Sequence, residues 1–342
     1  MRRFLTLVVA CVVSLTFPGF LAEADAQQPV VRFATLTSIS KAPPAVVAEK
    51  RGLFDKHGVK VEMKLFAEGR VAIEALAAGQ FDIGMFGDIP GLALLARGYP
   101  GKIIAAGLGG PARQAVLVRK DAPYQRLEDL KGKKLGLTKG STDELALEAS
   151  FTKRGLRWDD FTVIDLKQGE KATALQLGHV DVVEAFEPVP AIIVTKGIGR
   201  RLLTAHGEIP DIIGVIIAST KFLESHPGEV VKFLRALHEG AQWAHAYPNE
   251  MVDLLHKELK VDRPVLIDSI PRQWWYVEVF SHTLEDWQRA ADLLLRLKRV
   301  AAPLDVKGLV EFKFLAEALG KKYPLGVAAA DVLRYPNVTV RE

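Results

Sequence analysis

One stretch is written twice in this chain, and that duplication limits its possible folds more than any other feature. Ala75-Leu76-Ala77-Ala78-Gly79-Gln80-Phe81-Asp82 and Ala174-Leu175-Gln176-Leu177-Gly178-His179-Val180-Asp181 share the pattern Ala-Leu-x-x-Gly-x-x-Asp. Each copy reads as a helix end, a glycine stop and the start of a short apolar strand that runs into a polar mouth. A second pair stands in register with the first. Lys50-Arg51-Gly52-Leu53 returns as Lys153-Arg154-Gly155-Leu156 at an offset of 103 residues, against 99 residues from Ala75 to Ala174. Two motifs repeated in the same order point to twin α/β lobes rather than to a chance likeness.

A chain of 342 residues has room for this, at roughly 100–200 residues per domain. Its 49% hydrophobic and 25% charged residues describe a globular protein. The net charge of +4 is spread among nearly equal numbers of acids and bases, which argues against a nucleic-acid partner. Arg2 and Arg3 precede an apolar run from Leu5 to Leu15, then Pro18-Gly19 and Ala24-Asp25-Ala26. That order reads as a secretory signal peptide cut near Ala26, and the run is shorter than the ~20 residues a membrane span needs. Cys11 is the one cysteine and apolar sequence continues past it, so lipid anchoring there is not expected. A mature chain without thiols suits an oxidising compartment and excludes cysteine nucleophiles, cysteine zinc sites and iron–sulfur clusters.

Apolar runs at Val30–Leu36, Val59–Phe66, Phe81–Phe86 and Lys102–Ala106 alternate with helical stretches, and so do Lys134–Thr138, Phe161–Leu166 and Val180–Phe186. This rhythm predicts parallel sheets covered on both faces. Arg113–Arg119 and Gly214–Ser219 break it and read as strands that cross between lobes. After Ser219 the spacing is helical, with Leu309–Leu319 as a last helix. The expected organisation is a leader over 1–26, a first lobe over 27–113, a second over 114–218 and a helical return to the first over 219–342.

Ligands of open α/β sheets sit beyond the carboxyl ends of the strands, where helix N-termini present unpaired N–H groups. The loops that meet this rule are Thr37-Ser38-Ile39-Ser40, Glu68-Gly69-Arg70 and Gly87-Asp88-Ile89-Pro90 in one lobe. In the other they are Lys139-Gly140-Ser141-Thr142, Gln168-Gly169 and Glu187-Pro188. Lys139 to Thr142 has two equal readings, an anion cradle or an ordinary N-cap. Arg70 and Arg113 are candidates for an anionic head group, or surface and interlobe residues. Asp88 and Glu187 suit a ligand amine or hydroxyl, with helix capping the commoner role of the first. Asp82 and Asp181 lie at the far ends of their strands and are read as scaffold. Trp274-Trp275-Tyr276 is aromatic enough to line a pocket, although helix packing is its ordinary role. No His-Glu-x-x-His, phosphate loop, dinucleotide fingerprint or nucleophile elbow with serine occurs, so neither catalysis nor a cofactor is expected.

Lys50-Arg51-Gly52-Leu53-Phe54 with His57-Gly58-Val59, Glu74-Ala75-Leu76 through Gly79 to Asp82, Leu127 to Lys134, and Gly140-Ser141 resemble the solute-binding proteins of nitrate/sulfonate/taurine-type ABC importers, the NMT1/THI5-like family. The likeness covers most of Val30 to about Pro248. It implies a periplasmic-binding-protein type II fold, α/β, with two lobes around a central ligand cleft. It also implies a monomer that delivers a small organic anion of the sulfonate, taurine or nitrate kind, or a related small molecule such as a pyrimidine, to a permease in the inner membrane. The contacts it carries over fall on Thr37, Ser38, Ser40, Gly69, Arg70, Gly87 to Pro90, Gly140 to Thr142, and Phe186-Glu187-Pro188. Phe186 stands where many relatives have tryptophan, which puts a simple inorganic anion in question. The alternatives are a sensory ligand-binding module and a fold-related enzyme on a heterocyclic metabolite. The family's enzymes that make a thiamine pyrimidine use a cysteine-rich motif that this chain lacks.

Overall fold

The computed structural model describes residues 28–110, 113–204 and 213–326; the expected leader, with Cys11 and Ala26, lies outside them. The chain builds β1 (Val30–Leu36), β2 (Lys60–Phe66), β3 (Ile83–Phe86) and β4 (Gly101–Leu108), and then β5 (Gln114–Arg119), β6 (Lys134–Leu137), β7 (Thr162–Asp165), β8 (Val182–Phe186), β9 (Gly199–Thr204) and β10 (Gly214–Ser219). Two five-stranded sheets result, ordered β2-β1-β3-β10-β4 and β7-β6-β8-β5-β9. The two orders match place for place. The fourth place in each is taken by the strand that has just crossed from the other sheet, β10 in the first and β5 in the second.

Those two strands run antiparallel to their neighbours, so the sheets are mixed where the helix-and-strand rhythm predicts parallel ones. A strand that enters directly from another lobe has no crossover helix to reverse it. β10 lies wholly in the first sheet, whereas the expected division gives Gly214 to Ala218 to the second lobe. β9 is absent from the sequence expectation because Arg200 and Arg201 interrupt its apolar pattern.

Around the first sheet lie α1 (Ala42–Lys50), α2 (Leu53–Lys56), α3 (Gly69–Ala77) and α4 (Asp88–Ala96); α5 (Thr142–Arg154), α6 (Lys171–Gln176) and α7 (Val189–Thr195) serve the second. The remainder is α8 (Thr220–Ser225), α9 (Pro227–Ala246), α10 (Pro248–Leu259), α11 (Arg263–Ser269), α12 (Ser281–Arg296), α13 (Val306–Leu309) and α14 (Lys313–Leu319). The helix expected over Leu309–Leu319 is thus two shorter ones. Trp274-Trp275-Tyr276 is extended rather than helical.

The core follows strand periodicity. In β5, Val116 and Val118 join Leu147 and Phe151 of α5 on one face, while Ala115 and Leu117 join Leu175 and Ile193 on the other. In the first lobe Phe33 of β1 meets Phe233 of α9 edge to face at 4.9 Å, which docks the returning helical segment on that sheet. Fully burying one such ring is worth about 1.5–3 kcal/mol.

The repeated motif is scaffold in both copies. Gly79 and Gly178 take left-handed φ values of 71° and 72°, which end α3 and α6 without the strain a Cβ would bring. Asp82 then accepts the Arg32 backbone N–H at 3.0 Å, and Asp181 accepts that of Lys134 at 3.0 Å. Each aspartate pins the start of its lobe's third strand to the start of the first.

Candidate functional site

The strand order sends the helix N-termini of both lobes toward one place. Ser40 and Lys41 precede α1, Asp88 opens α4, Thr142 opens α5 and Glu187-Pro188 lead into α7. The α4 and α5 starts approach closely, since a Cβ built on Gly87 would lie 3.2 Å from Thr142 Cγ2.

A closed circuit of hydrogen bonds joins the two lobes and the C-terminal segment. Ser40 Oγ donates to the Glu187 carbonyl at 3.0 Å, and the Glu187 N–H donates to the Arg113 carbonyl at 2.8 Å. The Arg113 N–H donates to Gly110 O at 3.2 Å, and Gly109 exchanges backbone bonds of 3.0 and 3.2 Å with Trp274. Trp275 Nε1 closes the circuit on the Ser40 carbonyl at 3.0 Å.

Of four buried charged groups here, Arg113 and Glu187 stand on this circuit, Lys41 follows Ser40 in the chain, and Asp88 feels the charges of Arg113 and Lys41. Asp88 Oδ1 accepts the Ile89 N–H at 2.7 Å. Burial pushes the Asp88 carboxyl up to about 7 against that bond and the charges of Arg113 and Lys41. Glu187 accepts from Arg201 Nη2 at 2.9 Å and from the Ala191 N–H at 3.2 Å. Burial nevertheless carries Glu187 up to about 7 as well, because Arg201 divides its charge with Asp268. Asp268 is the firmly ionised partner: although burial works against it, hydrogen bonds from Arg201 and Arg272 hold it below the usual carboxylate value. Lys41 lies 4.6 Å over the Phe186 ring, a second contact between the lobes.

Of the residues expected from sequence, Ser40, Gly87, Asp88, Thr142 and Glu187 are buried at this junction, and Pro90 and Pro188 are half-buried beside it. Ser38 is half-buried, and its hydroxyl has no hydrogen-bond partner among the described residues. Thr37 is exposed, its Oγ1 3.5 Å from the Phe66 carbonyl. Gly69 is half-buried and Arg70 exposed. Lys139 and Gly140 are exposed, and their N–H groups are taken by the chain's own carboxylates, Asp165 Oδ1 at 3.0 Å and Glu144 Oε2 at 2.7 Å. Ser141 Oγ donates to the Thr138 carbonyl at 2.7 Å. That loop therefore has the local bonds of a cap.

Sequence reasoning passed over Lys41, Arg201 and Asp268. Lys41 was detectable, since it directly precedes the Pro43-Pro44 helix start that marks a mouth. Arg201 lies on the strand that the sequence did not reveal, and its partner Asp268 is far along the chain.

A family model described as NMT1/THI5 like matches residues 40–251. The chain is 30% identical over 328 residues to a Bacillus subtilis (strain 168) protein named as an aliphatic sulfonates-binding protein, covering 93% of this chain and 97% of that one. It is 24% identical over 271 residues to the 4-amino-5-hydroxymethyl-2-methylpyrimidine phosphate synthase of Schizosaccharomyces pombe, covering 70% and 77% of the two chains. Its fold is similar to that of the alkanesulfonate-binding protein from Xanthomonas axonopodis pv. citri bound to MOPS, with a TM-score of 0.74 at 21% identity over 84% of this chain and 100% of that one.

Proposed function

The chain belongs to the NMT1/THI5-like family, and from that premise we propose that it is the exported solute-binding component of an ABC importer. It captures a small organic anion between its lobes in the periplasm, as a monomer, and delivers it to an inner-membrane permease without catalysis. The observation that carries the anionic class is the charge balance at the junction. Lys41, ahead of α1, and Arg113, on the connection between the lobes, are both buried there. Glu187 is matched by Arg201, and Asp88 is raised to about 7, so its negative charge is incomplete near neutrality. An anion entering this place gains from both cations.

The test is calorimetric titration of the mature protein, after unfolding and refolding to strip any co-purified solute. Ethanesulfonate, MOPS, taurine, nitrate, short carboxylates and a neutral pyrimidine form the panel. At least one anion is expected to bind, and Lys41→Met or Arg113→Gln to weaken it about ten- to a hundredfold, a lost charged hydrogen bond being worth ~1.5–3 kcal/mol. Binding of the pyrimidine alone would overturn the anionic class, and silence across the panel would overturn the uptake role. An enzymatic reading draws on the synthase likeness and predicts turnover of a bound heterocycle, read by mass spectrometry of the incubated solute.

A further inference from the structure

Trp274 differs from three other tryptophans of the chain. Trp275 donates its indole N–H to Ser40 O at 3.0 Å, Trp287 donates to Ile213 O at 2.7 Å, and Trp158 donates to Glu148. Trp274 Nε1 is buried and has no hydrogen-bond partner among the described residues. A buried donor left unpaired is an exception that calls for a physical cause.

Its position supplies one. The Trp274 backbone pairs with Gly109, which continues β4 toward the crossing strand, and Gly109 stands four residues before Arg113. A Cβ on residue 109 would lie 2.7 Å from Trp274 Nε1 and 2.9 Å from Tyr276 Oη. Glycine therefore clears the space into which both polar tips reach, and they reach it on the hydrogen-bond circuit that joins Ser40, Glu187 and Arg113.

We infer that Trp274 is a ligand contact, its indole N–H donating to an acceptor oxygen of the bound anion. This rests on the solute-binding role proposed above. The C-terminal extended segment is then a third wall of the cleft, beside the two lobes. Residue 274 lies beyond the 40–251 stretch matched by the family, so this wall is built from sequence that the family pattern does not prescribe.

The experiment titrates wild type and Trp274→Phe with the tightest-binding anion among ethanesulfonate, MOPS, taurine, nitrate and the short carboxylates, and follows the tryptophan indole N–H resonances of wild type by ¹H–¹⁵N correlation. The substitution is expected to weaken binding about tenfold, the scale of one lost hydrogen bond. The ligand-free melting temperature should stay the same or rise, because an unpaired buried donor is removed. In wild type the Trp274 indole resonance, assigned by triple-resonance experiments, should shift downfield at saturation. That measurement stands even if Trp274→Phe does not fold. Wild-type affinity in the folded variant, or an unmoved resonance at saturation, overturns the inference while the solute-binding role stands. Silence of wild type across the whole panel overturns both.

Discussion

Asp88 and Glu187 follow the third strand of their respective lobes, and burial raises both carboxyls to about 7, yet they are not equivalent. Glu187 has a guanidinium within 2.9 Å, whereas Asp88 has only a backbone N–H at that range and two cations acting at longer distance. The linkage for Asp88 has a definite sign. Its folded value lies above the unfolded 3.8, so the native state holds a proton that the unfolded chain releases. Its contribution is complete below pH ~4, declines as pH rises, and is lost above about 7. The upper bound is about 4 kcal/mol for a shift of this size. Asp88→Asn is therefore expected to leave the melting temperature unchanged at pH 4 and to raise it at pH 8. An anionic solute should bind wild type more weakly as pH climbs from 6 to 8, and the variant should show a smaller change, with Glu187 left to titrate. Equal melting temperatures at pH 8 would refute the burial argument. Both acids were legible as mouth residues from the sequence alone. Their difference was not, because it depends on Arg201 reaching Glu187 from a strand that its own arginines hide.

At the scale of elements, the repeated motif was the most legible part of the chain. A glycine stop followed by aspartate recurs because both lobes need the same joint: a left-handed turn out of the helix, then a carboxylate on the first strand's backbone. Asp82 makes the stronger version, also receiving Arg32 Nε at 2.9 Å and Nη2 at 2.6 Å. Asp82→Ala removes charge-assisted bonds of about 1.5–3 kcal/mol. It should lower stability in urea by roughly that amount with no change in solute affinity, and any loss of affinity in the folded variant would mean that the motif reaches the cleft. Less legible were the partners of the crossing strands. The apolar run Gly214–Ser219 announces a strand but not its neighbours, and pairing between β3 and β4 is set by where the chain returns from the second lobe. Trp274-Trp275-Tyr276 resisted for a related reason. An extended segment paired with Gly109 through single bridges has too few residues for any period to declare itself.

For the whole molecule, the question is how much of the closed arrangement the protein holds by itself. The lobes meet through Ser40 and Glu187, through Lys41 and Phe186, and at the outer rim through Arg299 Nη2 and Glu144 Oε1 at 3.2 Å. Arg299 follows α12 beside the first sheet, while Glu144 sits in the first turn of α5 and also caps the Gly140 N–H. The Arg299 side chain is 46% exposed, which limits such a pair to at most about 1 kcal/mol. A contact of that size biases closure without locking it, and leaves the solute's preference for the closed state to decide the equilibrium. Arg299→Gln should therefore weaken solute binding by at most about fivefold. The change should appear in the dissociation rate, because the pair forms only after the lobes have met. Salt at roughly 0.5 M shortens the screening length to below 5 Å and should bring wild type and variant together. Stopped-flow dissociation at low and high salt, with small-angle scattering to follow compaction on solute addition, separates the outcomes. A rate difference that persists at high salt would mean that Arg299 touches the solute or its path. Identical rates at low salt would mean that the rim pair has no part in closure.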